Sequence, residues 1–439
     1  MNKYISTLII TSFLLTICIG AVFLMLPFST THGYINPEDA LFTSASAVTV
    51  TGLSTVDTCT YFTTFGQIVI LILIQIGGLG FMTFSTFTIL VMGKSFTIKD
   101  KAYIENDFTA GNYKNVKDLA KEIILATFII EWIGALLLYI QFKELKGMHR
   151  VFAAFFHAIS AFCNAGFSIF SNGLENYKQH WGINITIMLL IIFGGIGFLV
   201  IDETVLYFRR KIKRVSRFSL HSKLVFVITA TLILGGALLI LLEELFNPGN
   251  NLSLPVKILS ALFHSVSART AGFNTINMGI FSSASAFILM ALMFIGASPG
   301  STGGGIKTTS AGIILGYFRA KFRGRENVDI FYRNISPKTI EKAFIVAIIS
   351  FSLISFFSFL LITFEPEKNA IQLIFETFSA FGTVGLSLGV TANLSWVSKI
   401  ILSITMFIGR VGPLTVLIAM SKKESRAVIK YPEDQIMIG

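Results

Sequence analysis

The chain has 439 residues, of which 53% are hydrophobic and 13% are charged, and its formal net charge is +11. About eight apolar runs reach the length of roughly 20 residues that crosses a bilayer, which excludes a soluble globular protein. Cys18, Cys59 and Cys163 are too few and too scattered for a disulfide framework or a metal site. The composition therefore predicts an all-α membrane protein with several spans.

The first predicted unit, residues 1–92, holds two spans with a short helix between them. Residues 4–27 are assigned to a retained span, because the run exceeds a signal-peptide core and lacks an obvious small-x-small cleavage site. A Pro-Glu-Asp sequence at residues 37–39 indicates a helix start. The apolar residues 40–48 that follow are too few to cross the bilayer, so we expect a helix that enters and returns, covered by protein or water. Residues 64–92 form the second span.

Three further units repeat the order of span, re-entrant helix and span. The second unit covers residues 119–208, the third 224–318 and the fourth 343–421. Their segments, in chain order, are 119–142, 151–162 and 183–208; 224–242, 255–268 and 284–318; and 343–364, 370–381 and 396–420. Glu131 lies inside an apolar span, where a carboxylate is costly and is expected to be functional or paired.

Basic residues collect in three linkers and in the tail. The stretches 93–122, 209–223 and 319–342 contain 6, 7 and 7 Lys and Arg residues, and 4 more follow Met420. The linkers are assigned to residues 93–118, 209–223 and 319–342, and the tail to residues 422–439. Cytoplasmic segments carry the positive excess, so these stretches and both termini are predicted to be cytoplasmic, with lipid headgroups rather than nucleic acid as the counter-charge.

The same motif follows each of the four re-entrant helices: a small residue, Gly, a bulky apolar residue and a short polar residue. Its glycines, Gly52, Gly166, Gly272 and Gly385, lie 114, 106 and 113 residues apart. Four ordinary turns would have no reason to share their neighbours. Glycine adopts positive φ freely, so four such loops around an axis predict a ring of carbonyls that replaces a cation's water shell. The predicted selectivity-filter residues are Val50, Thr51, Gly52, Asn164, Ala165, Gly166, Thr270, Ala271, Gly272, Thr383, Val384 and Gly385.

Two details of the re-entrant helices lead to smaller predictions. Ser267 lies one residue closer to its loop glycine than Ser160 does, which predicts a local adjustment in the third loop. His157 and His264 fall at matching places, and no further metal ligands lie nearby in the sequence. Structural histidines are therefore expected there.

The second span of the third unit is predicted to be interrupted. It runs for 35 residues, whereas a straight crossing needs about 20. Five of the ten residues from Gly296 to Gly305 are Gly, and Pro299 lacks an N–H. Such backbone survives at membrane depth only against protein or water. We expect a movable gate here, with Lys307 holding its cytoplasmic end.

Together these features resemble the Trk/Ktr/HKT superfamily of cation transporters, which is built from four M1–pore helix–M2 units. The resemblance covers essentially the whole chain and includes the paired glycines of two second spans, Gly77-Gly78-Leu79-Gly80-Phe81 and Gly194-Gly195-Ile196-Gly197-Phe198. The first span begins almost at Met1, with no extra helix pair before it, and residues 431–439 also resemble the ending of the KtrB type. The chain therefore looks more like the KtrB type than the longer TrkH type.

The resemblance implies eight spans and four re-entrant pore helices around one central pore, in a multi-pass protein of the cell membrane that translocates potassium. It implies a homodimer on a cytoplasmic ring of nucleotide-binding regulatory subunits of the KtrA type, so nucleotide is expected only on that partner and no cofactor on this chain. A serine at the first filter position goes with sodium passage, so Gly52 favours potassium. The implied gate residues are Gly296, Ser298, Pro299, Gly300, Gly303, Gly304, Gly305 and Lys307, and Arg410 is placed beside them.

Other functions are weaker or stay open. An ATPase would need a P-loop, but Ile306 separates Gly305 from Lys307 and no strand precedes them, so no enzyme is expected. An inverted-repeat secondary transporter would alternate the orientation of its repeats, whereas all four loops here fall on one side. A scaffold would not need four matched glycines. A sodium-permeable or sodium-coupled transporter of the same superfamily remains an alternative.

Overall fold

The computed structural model describes residues 3–93, 116–211, 218–246, 252–413 and 415–416. Most of the linker 93–118, residues 212–217 of the linker 209–223, and the tail 422–439 lie outside the described residues, together with the predictions made for them. The described part is mostly helical, and its helices form four consecutive groups within residues 3–93, 116–211, 218–322 and 337–413.

The first group holds two long helices with a short one between them in sequence. The long helices are α1 (Lys3–Leu24) and α4 (Thr64–Gly93), and the short helix is α2 (Pro37–Val48). A single turn, α3 (Thr58–Tyr61), precedes α4. Pro37 and the two acidic residues after it suit the first turn of α2, where backbone N–H groups have no partner within the helix.

The second group repeats this order but breaks its last helix. It contains α5 (Val116–Gln141), the short α6 (Gly147–Phe162), α7 (Trp181–Ile196) and α8 (Phe198–Lys211). α7 and α8 are bent by 102° relative to each other. The break lies at Gly197, whose φ of 97° is accessible mainly to glycine. The sequence did not predict this break.

The third group contains the predicted interruption. It consists of α9 (Leu220–Phe246), the short α10 (Leu254–Ser267), α11 (Ser283–Phe294) and α12 (Thr308–Phe322). The 13 residues between α11 and α12 are not helical and include the whole stretch from Gly296 to Gly305.

The fourth group consists of α13 (Pro337–Phe364), the short α14 (Ala370–Gly382) and α15 (Trp396–Val411). The side chain of Asn369 caps α14 by accepting a hydrogen bond from the N–H of Ile371. Directly after α15, the φ of Gly412 is 87°, which interrupts the helix inside the predicted span 396–420. Residues 417–420 of that span lie outside the described residues.

A two-stranded hairpin precedes the fourth group, inside the predicted linker 319–342. β1 (Asp329–Ile330) pairs with β2 (Arg333–Asn334) in antiparallel register. Phe331 and Tyr332 form its turn with φ of 51° and 64°, a conformation that such side chains seldom adopt. The usual Asn-Gly or Asp-Gly turn signal is missing, so the sequence did not predict the hairpin.

The four groups contact one another in a closed cycle. α4 contacts α6, α7 contacts α10, α11 contacts α14, and α15 contacts α2, so the fourth group meets the first. Each contact joins the helix that follows one loop to the short helix of the next group. The short helices therefore lie at the centre. Their matching phenylalanines, Phe42, Phe156, Phe263 and Phe375, are all 0% exposed.

The outer helices present large apolar side chains to their surroundings. Trp132 is 63% exposed and Leu234 65%. Among the described residues, the segment Ala120–Gln141 of α5, α9 and α13 are long and apolar enough to cross a membrane, and the bent pair α7–α8 would make a fourth span. Exposed apolar area on this scale suits lipid rather than water. The layout of eight spans stays a prediction.

Candidate functional site

Four glycines meet where the four short helices end. Gly52, Gly166, Gly272 and Gly385 have φ of 94°, 68°, 74° and 92°. A Cβ atom on each of the first three would lie 3.0 to 3.1 Å from the Cα of the next, and a Cβ on Gly385 would lie 3.0 Å from the Cα of Gly52. The four therefore form a closed set, which we call the glycine ring. Both the crowding and the positive φ require glycine at these positions.

Backbone oxygens border the glycine ring. A Cβ atom on any ring glycine would collide with the carbonyl oxygen of the residue that precedes the next ring glycine. Those oxygens belong to Thr51, Ala165, Ala271 and Val384. In cation-selective filters, a circle of carbonyl oxygens around a narrow axis takes the place of the water molecules around a monovalent cation.

The backbone is also left-handed two residues before each ring glycine. The φ values there are 56° for Val50, 60° for Asn164, 79° for Thr270 and 49° for Thr383. A non-glycine residue in this conformation costs about 1–2 kcal/mol. Four matching loops thus store the same strain, which surrounding contacts must offset, as is common at functional sites. Val, Asn, Thr and Thr at this position form no recognisable motif, so the feature was not predictable from the sequence.

A serine near the end of each short helix anchors the loop that follows. The carbonyls of Ser46, Ser160 and Ser379 accept the N–H of the residue before the ring glycine at 2.7 to 2.8 Å. Ser267 makes the same bond to Ala271 at 2.9 Å, but across one residue fewer. The local adjustment predicted for the third loop is therefore present as a tighter turn. A Ser-Ala pair recurs at all four places and is the signal in the sequence that could have indicated this role.

A cavity of about 340 Å³ borders the glycine ring. It is lined by the four ring glycines and by residues that follow them, with the carboxylates of Asp57 and Glu175 among the lining groups. Glu175 accepts a hydrogen bond from Asn274 at 3.1 Å. Partial burial raises the pKa of Glu175, while Lys178 and Asn274 act in the opposite direction. Carboxylates at the rim of a cavity raise the local concentration of cations.

The stretch Gly296–Gly305, which we call the 296–305 segment, folds back on itself. The N–H of Gly296 donates to the carbonyl of Ile306 at 2.9 Å, and the N–H of Ala297 donates to Gly304 at 3.3 Å. Inside the fold, the hydroxyl of Ser301 donates to the carbonyl of Ser298 at 2.6 Å. These bonds satisfy polar backbone groups that the broken helix leaves without helical partners.

Neighbouring helices hold the 296–305 segment from the side. The N–H groups of Ser298 and Thr302 donate to the last turn of α7, at Gly195 (2.9 Å) and Gly194 (3.2 Å). The hydroxyl of Thr302 donates to the carbonyl of Phe162, the last residue of α6, at 3.2 Å. Further along, Phe198 donates to the carbonyl of Gly300 at 3.0 Å, and a Cβ on Gly197 would lie 2.5 Å from the carbonyl oxygen of Pro299.

The 296–305 segment also lies against the loops of the glycine ring. The N–H of Gly304 donates to the hydroxyl of Thr383 at 3.0 Å. A Cβ on Gly303 would collide with the side chain of Thr270. Both threonines precede their ring glycine, whereas the cavity is lined by residues at and after the glycines. The segment and the cavity therefore contact opposite ends of the loops.

Arg410 and Lys307 both donate to backbone carbonyls at this place. Arg410 is 1% exposed and donates to the carbonyls of Thr302 and Gly77, the second at 2.7 Å. Lys307 donates to the carbonyl of Gly303 at 2.8 Å. Arg410 thus ties the 296–305 segment to α4, and Lys307 ties the segment to the start of α12.

Glu131, whose partner the sequence did not identify, lies in a polar cluster behind the second loop. It is 2% exposed, and the side-chain amide of Gln75 donates to both carboxylate oxygens at 3.1 Å. The thiol of Cys163, the residue before Asn164, lies 3.5 Å from the side-chain oxygen of Gln75. Gln75 is 56 residues away in sequence, so no local pattern connects the two.

Comparison with known proteins finds that this chain is similar to cation transport proteins. The family model described as TrkH, cation transport protein, matches residues 2–431. The Ktr system potassium uptake protein B of Bacillus subtilis (strain 168) is 42% identical over 432 residues, which cover 97% of this chain and 95% of that protein. The potassium/sodium uptake protein NtpJ of Enterococcus hirae is 35% identical, covering 98% of this chain and 96% of its own length.

A solved structure matches as well. The crystal structure of the potassium transporter TrkH from Vibrio parahaemolyticus has a TM-score of 0.75 to this chain, covering 96% of it and 85% of the TrkH chain. At 17% sequence identity, that likeness concerns the fold alone. The family match over nearly the whole length is joined by relatives well above 30% identity. The chain therefore belongs to the TrkH family of cation transport proteins.

Proposed function

We propose that this chain is the potassium-translocating membrane subunit of a Ktr-type uptake system. The observation that carries the proposal is the closed glycine ring, bordered by four backbone carbonyl oxygens. Such oxygens substitute for water around a monovalent cation without any charged side chain in the path. The printed name of the Bacillus subtilis relative, at 42% identity, supports potassium as that cation.

The proposal includes four units, eight spans and one central pore. Helices α2, α6, α10 and α14 are the re-entrant pore helices, and their carboxyl ends bring partial negative charge near the path. The units are those assigned from the sequence: residues 1–92, 119–208, 224–318 and 343–421. The cyclic helix contacts support this arrangement. The cavity then opens outward, and both termini lie on the cytoplasmic side of the cell membrane.

The 296–305 segment is the gate of this pore. It contacts Thr270 and Thr383 on the side of the glycine ring away from the cavity, so a cation leaving the ring inward would meet it. Arg410 and Lys307 hold it through its own carbonyls and place positive charge beside the path. Opening requires those hydrogen bonds to break.

The gate responds to a separate cytoplasmic subunit. The name Ktr system, carried by relatives in Bacillus subtilis and Vibrio alginolyticus, supports a transporter that works with further components. In this proposal the chain is a homodimer on a ring of nucleotide-binding subunits of the KtrA type. Nucleotide binds that ring, and the chain itself carries only the transported potassium.

Sodium passage is the second candidate function. The Enterococcus hirae relative is named for both potassium and sodium uptake, at 35% identity over 98% of this chain. A glycine in every ring position, Gly52 included, favours potassium instead, since the added Cβ and hydroxyl of a serine would crowd the carbonyls.

Ion flux in liposomes tests the proposed function. The purified chain is reconstituted with a potassium or a sodium gradient, with and without its cytoplasmic partner. We expect potassium flux to exceed sodium flux and to rise when the partner is added. Equal flux of the two ions would favour the sodium-passing candidate, and no flux of either ion with the partner present would contradict a transport role.

A further inference from the structure

One position of each short helix faces the back of the loop that follows it. It lies nine residues before the ring glycine in three groups and eight before it in the third, where the loop is one residue shorter. The residues are Thr43, His157, His264 and Glu376, and each is at most 1% exposed. A threonine, two histidines and a glutamate thus occupy equivalent places behind four similar loops.

Glu376 is bonded to the outer end of the fourth loop. One carboxylate oxygen accepts from the hydroxyl of Ser387 at 2.6 Å and from the N–H of Leu388 at 3.2 Å. The other accepts from the hydroxyl of Thr391 at 2.8 Å. Ser387 is the second residue after the ring glycine Gly385. A buried carboxylate that accepts three bonds holds its partners more firmly than a neutral acceptor would.

His157 makes the corresponding bond in the second loop. Its Nε2 atom lies 2.9 Å from the hydroxyl of Ser168, again the second residue after a ring glycine. Its Nδ1 atom lies 2.8 Å from the carbonyl of Ala153, which only accepts. In a neutral ring Nδ1 therefore donates, Nε2 accepts, and the hydroxyl of Ser168 donates.

Ser168 and Ser387 make equivalent hydrogen bonds. The N–H of Phe170 donates to Ser168 at 3.0 Å, and the N–H of Gly389 donates to Ser387 at 2.9 Å. Each serine thus bonds back to its short helix and forward to the residue two positions on. We call the bonds His157–Ser168 and Glu376–Ser387 the two latches.

The first and third loops lack this latch. The hydroxyl of Thr43 and the Nε2 atom of His264 have no hydrogen-bond partner among the described residues. In the third loop, the residue equivalent to the latched serines is Asn274, which donates to Glu175 of the second group instead. Latched and unlatched loops therefore alternate around the ring, so that the two latched loops lie opposite each other.

We propose that His157 and Glu376 are selectivity-determining positioning residues, which fix the carbonyls of two opposite filter loops by holding Ser168 and Ser387. This inference rests on the proposed function of the glycine ring as the filter. The physical reason is that the serine two residues after a ring glycine limits the rotation of the peptide groups between them. A loop freed from its latch lets those carbonyls turn, and discrimination between ions of different size then falls.

Matched pairs of variants isolate the latches. His157→Phe and His264→Phe each remove an Nδ1 bond to the carbonyl four residues earlier, Ala153 or Ser260, but only the first also removes a latch. Likewise Glu376→Gln weakens a latch, whereas Thr43→Val at the equivalent position removes a hydroxyl that has no partner among the described residues. We expect His157→Phe and Glu376→Gln to lower the potassium-to-sodium flux ratio in liposomes about three- to tenfold, by analogy with single hydrogen bonds. Their controls leave it unchanged.

Ser387→Ala removes the latch hydroxyl, together with the bonds that it accepts from Gly389 and Thr391, and is used if Glu376→Gln does not fold. An equal fall in His157→Phe and His264→Phe, or no fall in any latch variant, would overturn the inference. Gly52→Ser in the same assay distinguishes a failure of the latch inference from a failure of the proposed filter. If Gly52→Ser lowers the ratio and the latch variants do not, the latch inference alone is wrong. If Gly52→Ser also leaves the ratio unchanged, the ring is not the filter.

Discussion

The glycine ring and the 296–305 segment are both built on glycine, yet they use it in different ways. In the ring, four equivalent glycines with positive φ lie so close that each excludes a side chain on its neighbour. In the segment, only Gly300 and Gly305 have positive φ, and the stretch occurs in one group out of four. One structure repeats around an axis, and the other breaks the repeat.

The contacts that hold the two structures differ as well. The ring is closed by backbone against backbone, so no loop can shift without its neighbours. The segment is held by separate hydrogen bonds to α6, to α7, to Thr383 directly after α14, and to Arg410 of α15, which can break one at a time. A rigid repeated ring suits selection, and a segment held by several independent hydrogen bonds suits opening and closing. We therefore expect ion selection and gating to be separable by mutation.

Deleting residues 300–304 gives the largest expected effect. The deletion removes the hydrogen bonds to Gly194, Phe162 and Thr383 together with the bulk of the segment. We expect high potassium flux in liposomes that no longer changes when the cytoplasmic partner is added. Size-exclusion chromatography checks that the protein folds. A folded deletion variant that still needs the partner would place the gate elsewhere.

Arg410→Ala is expected to raise flux in the absence of the partner. The guanidinium bonds to Thr302 and Gly77 are lost, and hydrogen bonds to charged groups contribute about 1.5–3 kcal/mol, which corresponds to roughly ten- to a hundredfold in a closed-to-open equilibrium. Arg150→Ala is the control, because Arg150 also donates to two carbonyls, those of Tyr139 and Ile140, away from the site. Loss of folded protein in Arg410→Ala, with no rise in flux from the remainder, would instead indicate a structural role.

Gly52→Ser tests the role of the glycine ring in ion selection. The serine would be strained at positive φ by about 1–2 kcal/mol and would crowd Ala165 and Gly166. We expect the potassium-to-sodium flux ratio to fall about tenfold, which corresponds to roughly 1.4 kcal/mol, while dependence on the partner is kept. Gly33→Ser is the control, since Gly33 has a φ of 77° but none of the described residues lies within 4 Å of its Cβ position. An equal fall in both variants would assign the effect to backbone strain in general.

Thr302→Val is a smaller change than the preceding ones and is expected to have a smaller effect. It removes the hydroxyl bond to Phe162 and keeps the shape of the side chain. A neutral hydrogen bond contributes about 1 kcal/mol, so flux without the partner should rise roughly fivefold. In Ser301→Ala the lost bond lies within the segment, at Ser298, and a smaller rise is expected. A larger rise in Ser301→Ala would show that internal folding, not attachment to α6, keeps the segment closed.

The short helices were predictable because the residues that begin and end them lie directly beside them in the sequence. The sequence placed them at residues 40–48, 151–162, 255–268 and 370–381, and the helices occupy Pro37–Val48, Gly147–Phe162, Leu254–Ser267 and Ala370–Gly382. A helix-start signal lies before some of them and a repeated glycine motif after all of them. The interruption after Phe294 was predictable for the same reason, since its glycines and proline are adjacent in sequence.

Features that depend on distant contacts were not predictable. Val50 adopts positive φ although a β-branched residue disfavours it, and Gly52, two residues further on, packs against Ala165 and Gly166 of the second loop. The latch of Glu376 was not predictable from the sequence either, because Thr, His, His and Glu at one position form no recognisable motif. The 102° bend at Gly197 reflects contacts with Pro299 and Gly300, about a hundred residues further along the chain.

The most direct test of the separation between ring and segment is the potassium-to-sodium flux ratio of a double variant, Gly52→Ser combined with deletion of residues 300–304. Independent sites change a free energy additively. The ratio should therefore fall by the same factor in the deletion background as in the intact chain, while the deletion alone leaves the ratio unchanged. A deletion that by itself abolishes selectivity, or that removes the effect of Gly52→Ser, would contradict the assignment of selection to the ring and gating to the segment.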